Sequence, residues 1–91
     1  MAEFIMIMTG AESTGEWDSY IDKLVKQGKL RGGSSLAHGL AFSKGMADQT
    51  SAISGYIRIS AADMTEARSL LEGNPLFEAG GTVAILEEVP D

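Results

Sequence analysis

Phe4-Ile5-Met6-Ile7-Met8 decides the fold. Five apolar residues in a row leave neither side of a strand polar, so the run reads as a central strand buried on both faces. Thr9-Gly10 bounds it, and it falls far short of the ~20 residues that cross a bilayer. A central strand needs neighbours on each side and cover on each face. The rest of the chain is read for what supplies them.

Downstream, Ser13-Thr14-Gly15-Glu16 fits a capping box, with a hydroxyl to accept from free N–H groups and a Glu to reach back. Trp17, Tyr20, Ile21, Leu24 and Val25 then recur on one stripe of a 3.6-residue period, which predicts a helix. Asp22 and Lys26 form an i,i+4 pair on its other side. Gly28 is placed to end the helix in the left-handed conformation. After Gly32-Gly33, the stretch Ser35 to Ser43 alternates large residues (Leu36, His38, Leu40, Phe42) with small ones and predicts a second strand. Lys44 to Ser51 reads as a polar hairpin connection. Ala52 to Ser60 predicts a third strand, with Ile53, Ile57 and Ile59 on one face and Ser54, Tyr56 and Arg58 on the other. Asp63-Met64-Thr65-Glu66 is a second capping box, opening a helix with Met64, Ala67, Leu70 and Leu71 inward. Gly73-Asn74-Pro75 stops it. Leu76 to Ala79 reads as one turn, and Thr82 to Val89 as the last strand, with Val83, Ile85 and Leu86 as its apolar residues.

The order is β-α-β-β-α-β, which predicts an α+β, ferredoxin-like fold with a four-stranded antiparallel sheet and two helices on one face. The second face is not polar. An exposed apolar sheet of several hundred Å² exceeds what a monomer usually shows to water, so a second copy is the expected cover, in a two-fold dimer packed sheet against sheet.

Composition narrows the function. Residues 1–91 are expected to form one domain, and a chain of this length buries only about 60–65% of its unfolded surface. Thirteen acidic and seven basic residues give a net charge of −6, which argues against nucleic acid and anionic membranes as partners. There is no cysteine and only one histidine, so thiolate chemistry, iron–sulfur clusters and multi-His metal centres are excluded. No phosphate-loop glycine pattern or carboxylate metal cluster is found, and no cofactor is expected. The opening segment lacks a basic stretch and a small-residue cleavage site, so a cytoplasmic protein is expected.

Taken in order, the opening strand, the helix running into Gly28-Lys29-Leu30-Arg31-Gly32-Gly33, and Gly55-Tyr56-Ile57-Arg58-Ile59 with its acidic-capped helix resemble the YCII-related family, including its DGPF-type members. Asn74-Pro75-Leu76-Phe77, Gly80-Gly81-Thr82-Val83 and the Glu87-Glu88-Val89-Pro90 ending continue the resemblance over essentially the whole chain. The resemblance implies a ferredoxin-like subunit and a homodimeric α+β barrel whose two sheets enclose a cavity. Family functions are mostly unassigned; some relatives are linked to small-molecule chemistry such as chloride removal from a hydroxylated ring, and others to transcription-related proteins. The catalytic members' early His is missing from the first helix here. Asn74 stands where they have Asp, and Asp48-Gln49-Thr50-Ser51 occupies the hairpin region where the other branch has Asp-Gly-Pro-Phe. The resemblance therefore carries fold and dimer to this chain and no catalytic residue.

Three residues are candidates for a site. His38 is the only histidine, the residue type suited to proton transfer near neutral pH, and is the one plausible acid/base; the plainer reading is a half-buried histidine bonded to a carbonyl or to the dimer mate. Tyr56 and Arg58 share a strand face, and a guanidinium beside a phenol suits a carboxylate or phenolate ligand. The plainer reading pairs Arg58 with Glu87 or Glu88 and packs Tyr56 at the dimer interface. Asn74 reads as a helix-end residue, because an amide takes up no proton near neutral pH. Trp17, Tyr20 and the methionines read as packing residues.

The resulting expectation is a homodimer that binds a small anionic or aromatic molecule in an inter-sheet cavity, with cofactor-free proton-transfer chemistry of the isomerase or lyase kind. The competing expectation is a non-catalytic interaction or regulatory module whose apolar face is consumed by dimerisation.

Overall fold

The computed structural model describes residues 1–10 and 15–90. Six strands and three helices follow in order: β1 (Ala2–Thr9), α1 (Trp17–Lys26), β2 (Leu30–Ser35), β3 (Gly39–Ala41), β4 (Gln49–Ser51), β5 (Ile53–Ala61), α2 (Met64–Ser69), α3 (Pro75–Glu78) and β6 (Thr82–Glu87). Four of the strands form an antiparallel sheet in the order β2-β5-β1-β6, so the chain is an α+β fold. Because β1 and β2 both run antiparallel to β5, they are parallel to each other with β5 between them. In the same way β5 and β6 flank β1. Among the described residues no helix is long and apolar enough to cross a membrane.

β1 is central, as its apolar run requires. Phe4, Met6 and Met8 point to the helices and are buried, whereas Ile5 and Ile7 point to the other face and are only half-buried. The expectation of burial on both faces is corrected here for the single chain, since the helices cover only one side. On the covered side, Phe4, Met6, Ile57 and Ile59 meet Tyr20 and Leu24 of α1, Ala67 of α2, and Leu70, Leu71 and Leu76. Each large apolar side chain removed from water there contributes about 1.5–3 kcal/mol.

The helix α1 follows its predicted stripe in part. Tyr20 and Leu24 are buried, Trp17 and Ile21 are half-buried, and Val25 is exposed. Asp22 and Lys26 pair at 2.9 Å. Gly28 adopts φ +70°, and the amides of Gly28 and Lys29 donate to the carbonyls of Val25 and Leu24. This is the double closure that a left-handed glycine permits at a helix end. Of the first predicted capping box, Ser13 and Thr14 lie outside the described residues; Glu16 holds the cap position and makes no side-chain cap bond. The second box forms: Asp63 Oδ1 accepts from the Glu66 amide at 2.9 Å, and Glu66 Oε1 accepts from the Ala62 amide at 3.0 Å. In α2, Ala67 is buried together with the following Leu70 and Leu71, but Met64 is exposed rather than inward. Asn74 is wholly buried and caps α3, its Oδ1 accepting from the Phe77 amide at 3.0 Å.

The predicted second strand is the main correction. The sheet strand is Leu30–Ser35, and it includes Gly32 and Gly33, which the sequence pattern places ahead of the strand. Gly33 lies so close to β5 that a Cβ there would meet the Tyr56 carbonyl oxygen at 2.6 Å. The close approach makes this glycine part of the pairing, not a break in it. Leu36 to His38 leaves the sheet, and Gly39–Ala41 pairs only with Gln49–Ser51 in a separate two-stranded hairpin. The alternation of large and small residues from Leu36 to Phe42 therefore does not describe a core-facing strand.

Candidate functional site

A cavity of about 860 Å³ opens at the β2–β5 corner of the sheet, beneath α1. Its origin is a local shortage of side chains. On the helix-facing side of that corner, Gly33 sits opposite Ile57, and Ser35 opposite Gly55. Small residues at three of those four positions leave space under the helix where a sheet normally carries large apolar groups. Trp17 and Ile21 of α1 form one wall. Leu30, Ile53 and Ile57 form another, and Met8 and Leu76 close the inner end.

The rim is polar and neutral. Ser34, Ser35, Ser51, Ser54 and Thr50 line it, with His38 and Leu36 from the segment that leaves β2. Among the described residues no Asp, Glu, Lys or Arg lines this cavity, although the chain as a whole carries twenty such residues. Hydroxyl groups and one imidazole can donate and accept hydrogen bonds to a ligand.

The structure places the three candidate residues apart. His38 is exposed on the loop between β2 and β3 and lines the cavity mouth. Tyr56 is half-buried; it pairs with Ile7 and Ser34, and contributes to the lining from the edge of the open sheet face. Arg58 does not line the cavity. It lies opposite Ile5 on the open face and is engaged by Glu88, Nε to Oε1 at 2.7 Å and Nη2 to Oε2 at 3.0 Å. That carboxylate raises the Arg58 pKa, and the guanidinium holds Glu88 below the usual carboxylate range. The plainer reading of Arg58 is thus the one realised within the subunit.

Trp17, Ile21 and the small-residue floor were not marked by sequence reasoning as site residues. A signal existed: Gly33, Ser35 and Gly55 all fall at helix-facing positions of adjoining strands, a deficit that becomes readable once the register is known. Trp17 looked like a packing residue. It does pack edge-on against Tyr20, with ring centroids 6.2 Å apart, while also facing the cavity.

A second hollow of about 550 Å³ lies between α1 and α3. Its charged groups are engaged: Lys23 donates to the Glu72 carbonyl, Glu78 accepts from the Gly73 amide, and Glu16 accepts from the Ser19 hydroxyl. Tyr20 at its floor donates to the Leu70 carbonyl at 2.6 Å, and burial pushes its phenol pKa up. Among the described residues no cluster of His, Asp and Glu is arranged to hold a metal ion. No protein-family model matches the chain, and no match is found among curated proteins or solved structures.

Proposed function

We propose that this chain is a small-molecule-binding domain that takes an uncharged, flat, largely apolar compound, an aromatic ring bearing a hydroxyl or carbonyl, into the cavity beneath α1. The observation that carries this reading is the lining itself: apolar walls from Trp17, Ile21, Leu30 and Ile53, a hydroxyl-rich rim, and no fixed charge among the described residues. Apolar walls with a few convergent polar groups are the usual make-up of a ligand pocket. An anionic ligand is less well served, because Arg58 is paired with Glu88 and lies outside the lining.

In this reading the site is roofed by a helix instead of lying between two sheets. His38 at the mouth is its acid/base, and the chemistry that one imidazole supports unaided is proton transfer, of the isomerase or lyase kind. The subunit belongs to the ferredoxin-like type and works as a homodimer, in keeping with the YCII-related resemblance. Support comes from the two split β-α-β units, β1 and β2 parallel with β5 between them and β5 and β6 parallel with β1 between them, and from the apolar residues Ile5, Ile7 and Leu86 on the uncovered face. A non-catalytic interaction module is the second reading, favoured by the exposed apolar residues of the β3–β4 hairpin.

The protein contains a single tryptophan, and it lines the cavity, so binding can be followed by its fluorescence. Titration with 2-naphthol should quench Trp17 saturably and raise the melting temperature, whereas 2-naphthoate should bind at least roughly tenfold more weakly, since a buried carboxylate finds no partner. If neither probe gives a saturable change up to roughly millimolar concentration, a level at which even weak ligands stabilise a protein, the binding reading fails. If 2-naphthol binds but the native protein catalyses no proton exchange into bound ketones, the chain is a binding domain without the proton-transfer activity; if nothing binds, the interaction module replaces it.

A further inference from the structure

We infer that the β3–β4 hairpin is an arm that grips a second copy of this chain, with Leu40, Phe42 and Met46 seated on the partner. The inference rests on the homodimer proposed above and adds the surface that holds it together.

Four observations carry it. First, the hairpin prolongs the β2–β5 ladder beyond the body: the Leu36 amide still donates to the Ser54 carbonyl, after which the chain runs out through β3 and back through β4. From Ser35 to Phe42 an extended chain covers about 20 Å. The radius of gyration is accordingly 14.1 Å, against about 12 Å for a compact chain of this length.

Second, the arm has no cover of its own. Every residue from Gly33 to Thr50 is exposed, including Leu40 at 55%, Met46 at 68% and Phe42 at 72%. Leu40 and Phe42 fall on one side of the ribbon by the two-residue period of a strand. Third, the ladder is only three residue pairs long, and a two-stranded hairpin of that size is at best marginally stable in water without a surface to lie on.

Fourth, the open sheet face alone is too small for a stable dimer. Four strands at ~4.8 Å spacing and six residues of ~3.3 Å give about 400 Å², roughly half of the ~800 Å² that each partner of a standard interface buries. The arm is an apolar surface contiguous with the sheet that supplies the remainder, and a two-fold axis applies it twice. The occupant that fits is a second copy because its uncovered face carries an apolar strip, Ile5, Ile7 and Leu86, beside the Arg58–Glu88 pair and open to receive the arm. Docking of the arm would also set the cavity mouth, as His38, Thr50 and Ser51 belong to its base.

Sedimentation velocity of the native chain and of a triple variant, Leu40→Ser, Phe42→Ser, Met46→Ser, tests this. The native protein should dimerise at micromolar concentration, and the variant should dissociate roughly a hundredfold or more readily, as loss of central apolar anchors does. Far-UV circular dichroism should be unchanged because none of the three belongs to the core. Amide exchange in the β3 and β4 segments should be slow in the dimer and fast after dilution to monomer. A variant that dimerises as tightly as the native chain overturns the arm while leaving the sheet-to-sheet dimer standing. A native chain that is monomeric at tens of micromolar overturns both.

Discussion

Arg58 and Glu88 join across the central strand. Arg58 belongs to β5 and Glu88 follows β6; β1 runs between them, and the two-pronged contact of 2.7 and 3.0 Å passes over Ile5 on the uncovered face. Such a pair ties β5 to the end of β6 across β1 and turns two of the guanidinium's N–H donors toward Glu88.

The Arg58→Ala variant should therefore keep its 2-naphthol affinity within about twofold, since the side chain is remote from the cavity. If the uncovered face is the dimer face proposed above, the variant should weaken self-association measurably, because Glu88 would stand there without a counter-charge. Isothermal titration and sedimentation on the same preparation distinguish the two effects. Loss of ligand binding with the dimer intact would relocate the ligand to the open face.

Gly33→Ala should destabilise the fold by about 1–3 kcal/mol, the usual range for forcing extra volume into a tight packing contact. The new methyl would meet two backbone atoms, the Tyr56 carbonyl oxygen and the Ile57 Cα at 3.1 Å, neither of which can swing aside. Gly39→Ala, where nothing lies within 4 Å, is the control and should be nearly neutral. Urea denaturation measures both.

Asn74→Ala should cost about 1–2 kcal/mol in the same assay, toward the upper end for losing a helix cap, because the buried Asn74 side chain is removed and the part-buried Phe77 amide is left without its acceptor. Asn74→Ser keeps a short acceptor and should recover part of the loss.

Acid should loosen the structure through two carboxyls. Glu66 is held below the ordinary carboxylate value by Lys29 at 3.0 Å and by the Ala62 amide, and Glu88 by Arg58. A group whose pKa is lowered by folding contributes its full stabilisation above the unfolded value of about 4.3 and loses it as the pH falls through the lowered folded value. The urea midpoint should thus be flat from pH 7 to near 5 and fall below that. Glu66→Gln should make the fall shallower.

Much of the fold is legible in the chain because local signals and burial agree there. The Phe4–Met8 run, the Trp17–Leu24 stripe, Gly28 and the Asp63–Glu66 box each state one thing, and neighbouring elements repeat it. The α+β class and the antiparallel four-stranded sheet follow from their order. The reading failed between Leu30 and Ser51, where two signals conflict. Gly32-Gly33 has the composition of a turn but sits in β2, because the close passage of β5 demands an absent side chain. Leu36 to Phe42 has the period of a sheet strand but stands off the sheet, because alternation records which side of a ribbon is apolar without recording what covers it.

The site was legible only in part for a related reason. His38 and Tyr56 stood out as chemical groups, and they do border the cavity. The cavity itself is made of omissions at Gly33, Ser35 and Gly55, and an omission acquires meaning only when register brings several of them together. Arg58 stood out equally, yet its charge is answered by Glu88, the neighbour that the sequence also offered.

The placement of β1 has a kinetic consequence. Its partners β5 and β6 arrive about fifty and eighty residues later, so its ladder closes only through distant contacts, whose loop-closure entropy slows folding. Until then Phe4 to Met8 is a bare adhesive edge, open to other nascent or unfolded copies. Renaturation yield should therefore rise on dilution, since crowded chains meet one another before each meets its own far end.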